Sequence, residues 1–126
     1  MKQYILLIED NEFIRENKSE LLELSDYEVI TARDGKEGLE IIQEKNPGLI
    51  LCDIMMPQMD GYEILKIVRQ EYRLTSTPFI FFTASSEKKD IKKGLQMGAT
   101  DYMVKPIDGD DLLNLIQKHL PEQVSN

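Results

Sequence analysis

The chain has 126 residues, 41% of them hydrophobic, with 23 acidic against 15 basic side chains and a net charge of −8. That length suits one domain around a single core, and the acidic balance opposes non-specific attraction to nucleic-acid phosphates or anionic lipid. No apolar run approaches the roughly 20 residues that cross a bilayer. The lone Cys52 excludes an intrachain disulfide, and the start Met1-Lys2-Gln3-Tyr4 lacks a signal peptide's apolar stretch. The expectation is a soluble protein of a reducing cytoplasm.

In chain order, an apolar run predicts a strand over 4–9 that stops at Glu9-Asp10, and a helix follows over 12–24, with Asn11 able to cap it. A strand over 27–32 leads to a helix over 35–46, where Asp34 and Glu37 form a capping-box-like pair. The strand over 48–53 ends in Asp53. Asp60 and Glu63 open a helix over 61–72, and a strand over 78–82 stops before Thr83. A helix over 87–97 contains Gly94, which weakens it slightly. A strand over 101–104 precedes Lys105-Pro106, Asp108 opens a helix over 109–119, and the polar tail 121–126 is expected to fray. Strands alternating with helices imply βαβ units around a parallel sheet.

If the strands are parallel, Glu9, Asp10, Asp53, Thr83 and Lys105 collect along one sheet edge, where open α/β folds bind ligands. Two unit charges about 4 Å apart repel by roughly 4 kcal/mol at an effective dielectric near 20. Something positive must therefore compensate the acids. Lys105 supplies one charge, and Mg2+ suits a site of few carboxylates and several retained waters. Taken singly these residues are ordinary: Asp53 reads as a strand-ending turn aspartate, Glu9-Asp10 as helix-entry acids, Thr83 as a strand-end hydroxyl, Lys105 as a solvated lysine. Together they match another chemistry, in which an Asp carboxylate accepts a phosphoryl group whose oxygens a metal and a cation neutralise.

The segments Ile5-Leu6-Leu7-Ile8-Glu9-Asp10, Asp53-Ile54-Met55-Met56-Pro57 with Asp60-Gly61, Phe82-Thr83-Ala84, and Gly98-Ala99-Thr100-Asp101-Tyr102 with Lys105-Pro106 resemble, in that order, the receiver domain of two-component response regulators. The resemblance covers essentially the whole of 5–120. It implies a doubly wound, flavodoxin-like α/β fold: a five-stranded parallel sheet of order 2-1-3-4-5 flanked by five helices. Residues 1–120 would form the receiver domain and 121–126 a flexible tail. It further implies Asp53 as phosphoacceptor, Glu9, Asp10, Asp53 and the Met55 backbone carbonyl as Mg2+ ligands, and Thr83, Ala84 and Lys105 as phosphoryl-binding groups. Tyr102 would be the aromatic switch residue, and the Lys105–Pro106 peptide would be cis.

The function implied is a phosphorylation-dependent signalling switch. Its partners would be a histidine kinase or histidine phosphotransfer protein and a downstream output domain or protein, with no direct nucleic-acid binding. The domain would be a monomer or a phosphorylation-dependent dimer, and not an enzyme on an independent substrate. Met55 and Ser85 occupy positions that vary within the family and affect rate; Met55 cannot hydrogen-bond an attacking water, which predicts a phosphorylated state that persists longer than in a Met55→Asn variant.

Lys88, Lys89, Lys92 and Lys93 form a basic patch on the fourth helix, either a solvated face or a partner surface. Cys52 reads as an inert core thiol.

Three rival readings remain. A haloacid dehalogenase-type phosphatase would carry a second acid two residues after the nucleophile, where Met55 stands. A flavodoxin-like carrier would need a phosphate-cradling loop in place of Glu9-Asp10-Asn11-Glu12. A constitutive interaction module would not need the phosphorylation residues at all.

Overall fold

A computed structural model describes residues 3–84 and 88–120; Ser85, the expected helix start at 87 and the tail 121–126 lie outside them. The chain alternates β1 (Tyr4–Ile8), α1 (Glu12–Leu24), β2 (Glu28–Ala32), α2 (Gly35–Glu44), β3 (Leu49–Asp53), α3 (Gly61–Lys66), β4 (Phe79–Thr83), α4 (Lys88–Gln96), β5 (Asp101–Val104) and α5 (Gly109–His119). The strands form one parallel sheet in the order β2-β1-β3-β4-β5. The chain therefore reverses its direction of winding between β1 and β3, and a crevice opens there at the carboxyl ends.

Strand alternation sorts the core into two layers. Leu6, Ile8, Ile50, Cys52, Phe79 and Phe81 face one side, with Leu39 and Ile42 of α2 and Ile64 and Leu65 of α3. Ile5, Leu7, Leu49, Leu51, Ile80 and Phe82 face the other, with Leu22 of α1 and Leu112 and Ile116 of α5. Because both faces are covered, β1, β3 and β4 are buried along their entire length. This is why they read as near-continuous apolar runs.

The helix entries rest on the expected caps. Asn11 accepts from the Ile14 N–H, Asp34 from Glu37, Asp60 from Glu63 and Asp108 from Asp111. Several boundaries differ for local reasons. Pro78 has no N–H for the ladder, so β4 begins at Phe79 and runs on to Thr83, whose carbonyl accepts from the Lys105 N–H at 2.7 Å. The helix expected to reach residue 46 stops at Glu44, because Lys45 is already extended and Pro47 disfavours helical backbone before it. The helix expected over 61–72 changes form midway: residues 67–71 are π-helical, with the Tyr72 N–H reaching the Ile67 carbonyl at 2.9 Å.

Two glycines are dictated by packing. A Cβ on Gly61 would stand 2.8 Å from the Asp53 carbonyl oxygen and 2.9 Å from Ile54 Cα. Absence of a side chain there lets α3 start directly against the end of β3. Gly94 is not a weakness in its helix: its bare backbone lets α4 lie on the Phe81 ring, 3.0 Å from where a Cβ would sit.

Candidate functional site

Glu9 follows β1 and is completely buried, while its neighbour Asp10 is exposed. The N–H of Glu9 still bonds the Ala32 carbonyl at 3.0 Å, and its Oε2 accepts from the Asn11 N–H at 3.1 Å. Asn11 in turn caps α1, so the start of the helix fixes the acidic turn. Arg15, one turn into α1, donates to the Glu9 carbonyl at 2.8 Å. Sequence reasoning missed Arg15, because recognition of a backbone carbonyl leaves no residue pattern to read.

Asp53 closes β3 with 4% of its surface accessible, and Thr83 closes β4 with 5%. Lys105 follows β5, and its peptide bond to Pro106 is cis. Its ammonium lies 3.0 Å from Asp53 Oδ2 and 3.6 Å from Glu9 Oε1. Strand register alone brings these residues together: Asp53 lies opposite Phe82, and Thr83 opposite Val104. Ala84 is exposed just beyond, as is Met55 at the head of the loop after β3.

The electrostatics follow from burial. Glu9 is held above the ordinary carboxyl range by its desolvation, which the Asn11 N–H opposes and the Asp53 charge reinforces. For Lys105, burial works to lower the ammonium, but the hydrogen bond and charge of Asp53, with the charge of Glu9, outweigh it and raise it above 10.5. One lysine is thus shared between two buried carboxylates. Glu9 Oε1 has no hydrogen-bond partner among the described residues. A buried carboxylate oxygen left in that state is costly unless a cation comes to it.

Oxygens of Glu9, Asp10 and Asp53 lie within 4.8 Å of one another, so the three could hold a metal ion. An all-oxygen, three-carboxylate donor set with the orphaned Glu9 Oε1 suits a hard divalent cation. The chemistry available to such a site is transfer of a compact anion onto, or its capture beside, the Asp53 carboxylate.

Tyr102 is half-buried on β5. It lines, with Thr83, Ile54, Phe81, Ile91 and Leu95, a cavity of about 10 Å³, room for about one water and too small for a phenol ring. Lys88 and Lys92 border an open groove with Ile91, Leu95, Gln96 and Tyr102, whereas Lys93 turns away to lie 4.2 Å from the centre of the Tyr62 ring. Cys52 is fully buried in the core, where burial and then the nearby carboxylates push its thiol well up, consistent with an unreactive group. His119, on the last turn of α5, lies with its Nε2 3.1 Å from Asp101 Oδ2.

Among the described residues no helix is long and apolar enough to cross a membrane. The family model for the response regulator receiver domain matches residues 5–117. Among curated relatives, the alkaline phosphatase synthesis transcriptional regulatory protein PhoP of Bacillus subtilis is 42% identical over 106 residues, covering 84% of this chain and 43% of PhoP. The probable transcriptional regulator ycf27 of Porphyridium aerugineum is 40% identical over 111 residues, covering 88% of this chain and 45% of that protein. The chain spans about half the length of these regulators. Protein PilG of Pseudomonas aeruginosa is 34% identical over 117 residues, with 93% of this chain and 87% of PilG covered. Among solved structures, the Vibrio cholerae chemotaxis protein CheY4 superposes with a TM-score of 0.89 at 33% identity, over 95% of this chain and all (100%) of CheY4. These matches lend no support to a haloacid dehalogenase-type phosphatase or to a constitutive interaction module. The matched span, the sheet order and the superposed architecture agree: this chain belongs to the response regulator receiver domain family of two-component signal transduction.

Proposed function

We propose that Asp53 is the phosphoacceptor of a cytoplasmic signalling switch, and that the chain acts on no independent substrate. One observation carries the reading most directly: a buried Asp53 carboxylate is gripped by Lys105 beside a buried Glu9 oxygen that lacks a hydrogen bond among the described residues. Glu9, Asp10, Asp53 and the Met55 backbone carbonyl would hold Mg2+. When bound, that ion would offset negative charge on the phosphoryl oxygens.

The protein's own groups account for the rest of the transfer. A carboxylate oxygen of Asp53 forms a bond to phosphorus as the bond from phosphorus to the donor's imidazole nitrogen breaks, leaving the electron pair on that nitrogen. Asp53 attacks as an anion, so no proton has to be removed from it. Lys105 keeps its proton throughout and moves its hydrogen bond from Asp53 to a phosphoryl oxygen. The Thr83 hydroxyl and the Ala84 N–H supply further donors. The donor would be a histidine kinase or histidine phosphotransfer protein.

Transmission would run through Tyr102. Movement of Thr83 toward the phosphoryl group enlarges the small cavity they share and gives the Tyr102 ring somewhere to turn. The groove bordered by Lys88 and Lys92 is then the surface offered to an output domain or protein, with Lys89 and Lys93 of the same helix as further contacts. Residues 1–120 form the receiver unit in this reading, with 121–126 as its tail, and the unit is a monomer or a phosphorylation-dependent dimer.

The test is incubation with a small acyl phosphate and Mg2+, followed by intact-mass measurement. The expected result is a gain of one phosphoryl group in the wild type and none in Asp53→Asn. An unmodified wild type, or an equal gain in the variant, contradicts the proposal.

A further inference from the structure

Lys18 stands where a helix normally places an apolar side chain. With Ile14 and Leu21 it recurs at i, i+4 and i+7 along the face of α1 that looks toward α5, and all three line the cleft beside Ile107 and Leu112. Lysines on such faces ordinarily send their ammonium out to water. This one is half-buried, and its ammonium sits 5.3 Å from the centre of the Phe82 ring. Phe82 is the register partner of Asp53 and the residue before Thr83. Among the described residues no carboxylate pairs with Lys18 directly.

Its electrostatic environment is nevertheless that of the sheet edge. Burial lowers the Lys18 ammonium, the charges of Glu9 and Asp53 pull it up, and the charge of Lys105 pushes it down. Lys18 therefore feels the central charged groups of the site from beneath, across the β4 ring. Three acids gather at that edge, and the one lysine there, Lys105, contacts two of them, Glu9 and Asp53. A second positive charge, held over the Phe82 ring and paired with none of the three acids, biases the potential of the pocket without occupying it.

We infer that Lys18 is a positioning residue of the phosphorylation site, a second fixed cation that weakens its hold on a divalent metal and strengthens its hold on a phosphoryl anion. The inference rests on the Asp53 reading above. It distinguishes charge from packing, because loss of a charge must move cation and anion affinities in opposite directions, whereas loosened packing weakens both.

The experiment is an amide NMR titration of the full chain, first with Mg2+ alone and then, at saturating Mg2+, with beryllofluoride as an anionic phosphoryl mimic. Lys18→Met keeps the length and apolar contact of the side chain. It is expected to bind Mg2+ about two- to fivefold more tightly and beryllofluoride about two- to fivefold more weakly, the scale of one unit charge acting across about a Debye length. Both shifts should shrink in high salt, Lys18→Arg should restore both, and Lys118→Met, an equal charge change on the last turn of α5, should produce neither. Unchanged affinities in Lys18→Met, shifts of the same sign, or the same pair of shifts in Lys118→Met would overturn the inference. If wild type shows no Mg2+ response at Glu9, Asp10 and Asp53, the reading of the site itself fails instead.

Discussion

The two ends of the sheet bury charged and polar groups in opposite ways. At the amino end, Arg69 of the π-helical turn donates to the carbonyls of Thr77 at 2.7 Å and Gly98 at 3.0 Å, and also to that of Leu74. It thereby ties together the chain entering β4 and the chain entering β5. Tyr4, buried at the start of β1, gives its hydroxyl to the Lys45 carbonyl. At the carboxyl end, Glu9 keeps a buried oxygen without a hydrogen bond among the described residues, and Lys105 is divided between two carboxylates. A finished polar network holds a fold together; an unfinished one is a place for a ligand to complete.

Breaking the amino-end network should have the largest effect. Arg69→Met leaves three carbonyls without their donor and is expected to lower unfolding stability by about 2–3 kcal/mol, read as a fall in the urea midpoint. The folded fraction should still accept phosphoryl at Asp53. An unchanged midpoint would dissolve the contrast between the two ends.

The opposite sign is expected at the carboxyl end. Without Mg2+, Glu9→Gln removes a buried charge that lacks adequate partners and should raise stability by about 1 kcal/mol. Mg2+ is expected to raise the Tm of the wild type, and in the same variant that increase should largely disappear. A loss of stability on this substitution would mean that Glu9 is already satisfied by Lys105.

The smallest effect sharpens the comparison through pH. Burial pushes the Tyr4 hydroxyl from 10.0 up to about 12. Between those values the unfolded chain releases this proton while the folded chain keeps it, so stability falls as pH rises through that window and is unaffected by Tyr4 below it. The loss from this group is on the order of 1 kcal/mol from pH 10 to 11. Urea midpoints of Tyr4→Phe should decline less steeply over that interval than those of wild type; parallel declines would remove Tyr4 from the account.

Much of this was legible in the sequence, for identifiable reasons. Four apolar strands end at polar residues, so parallel pairing alone predicts that Glu9, Asp53, Thr83 and Lys105 meet, and the caps at Asp34, Asp60 and Asp108 follow from local hydrogen bonding. What stayed hidden depends on direction or on backbone partners. The π turn at 67–71 keeps its apolar residues inward and so looks like ordinary helix. Arg15 and Arg69 bind carbonyls, which every residue carries. Lys93 lies on the Tyr62 ring, a partner distant in sequence, while Lys88 and Lys92 border the groove. The place of the Lys18 ammonium, over the Phe82 ring, depends on how α1 packs on the sheet, which no local pattern states.

The central claim is that one particular carboxylate takes the phosphoryl group. After reaction with an acyl phosphate and Mg2+, borohydride reduction converts an aspartyl phosphate to the corresponding alcohol, and peptide mass mapping locates it. Reduction confined to Asp53 is the predicted result; label at Glu9, Asp10 or any other acid, with Asp53 unreacted, would contradict it.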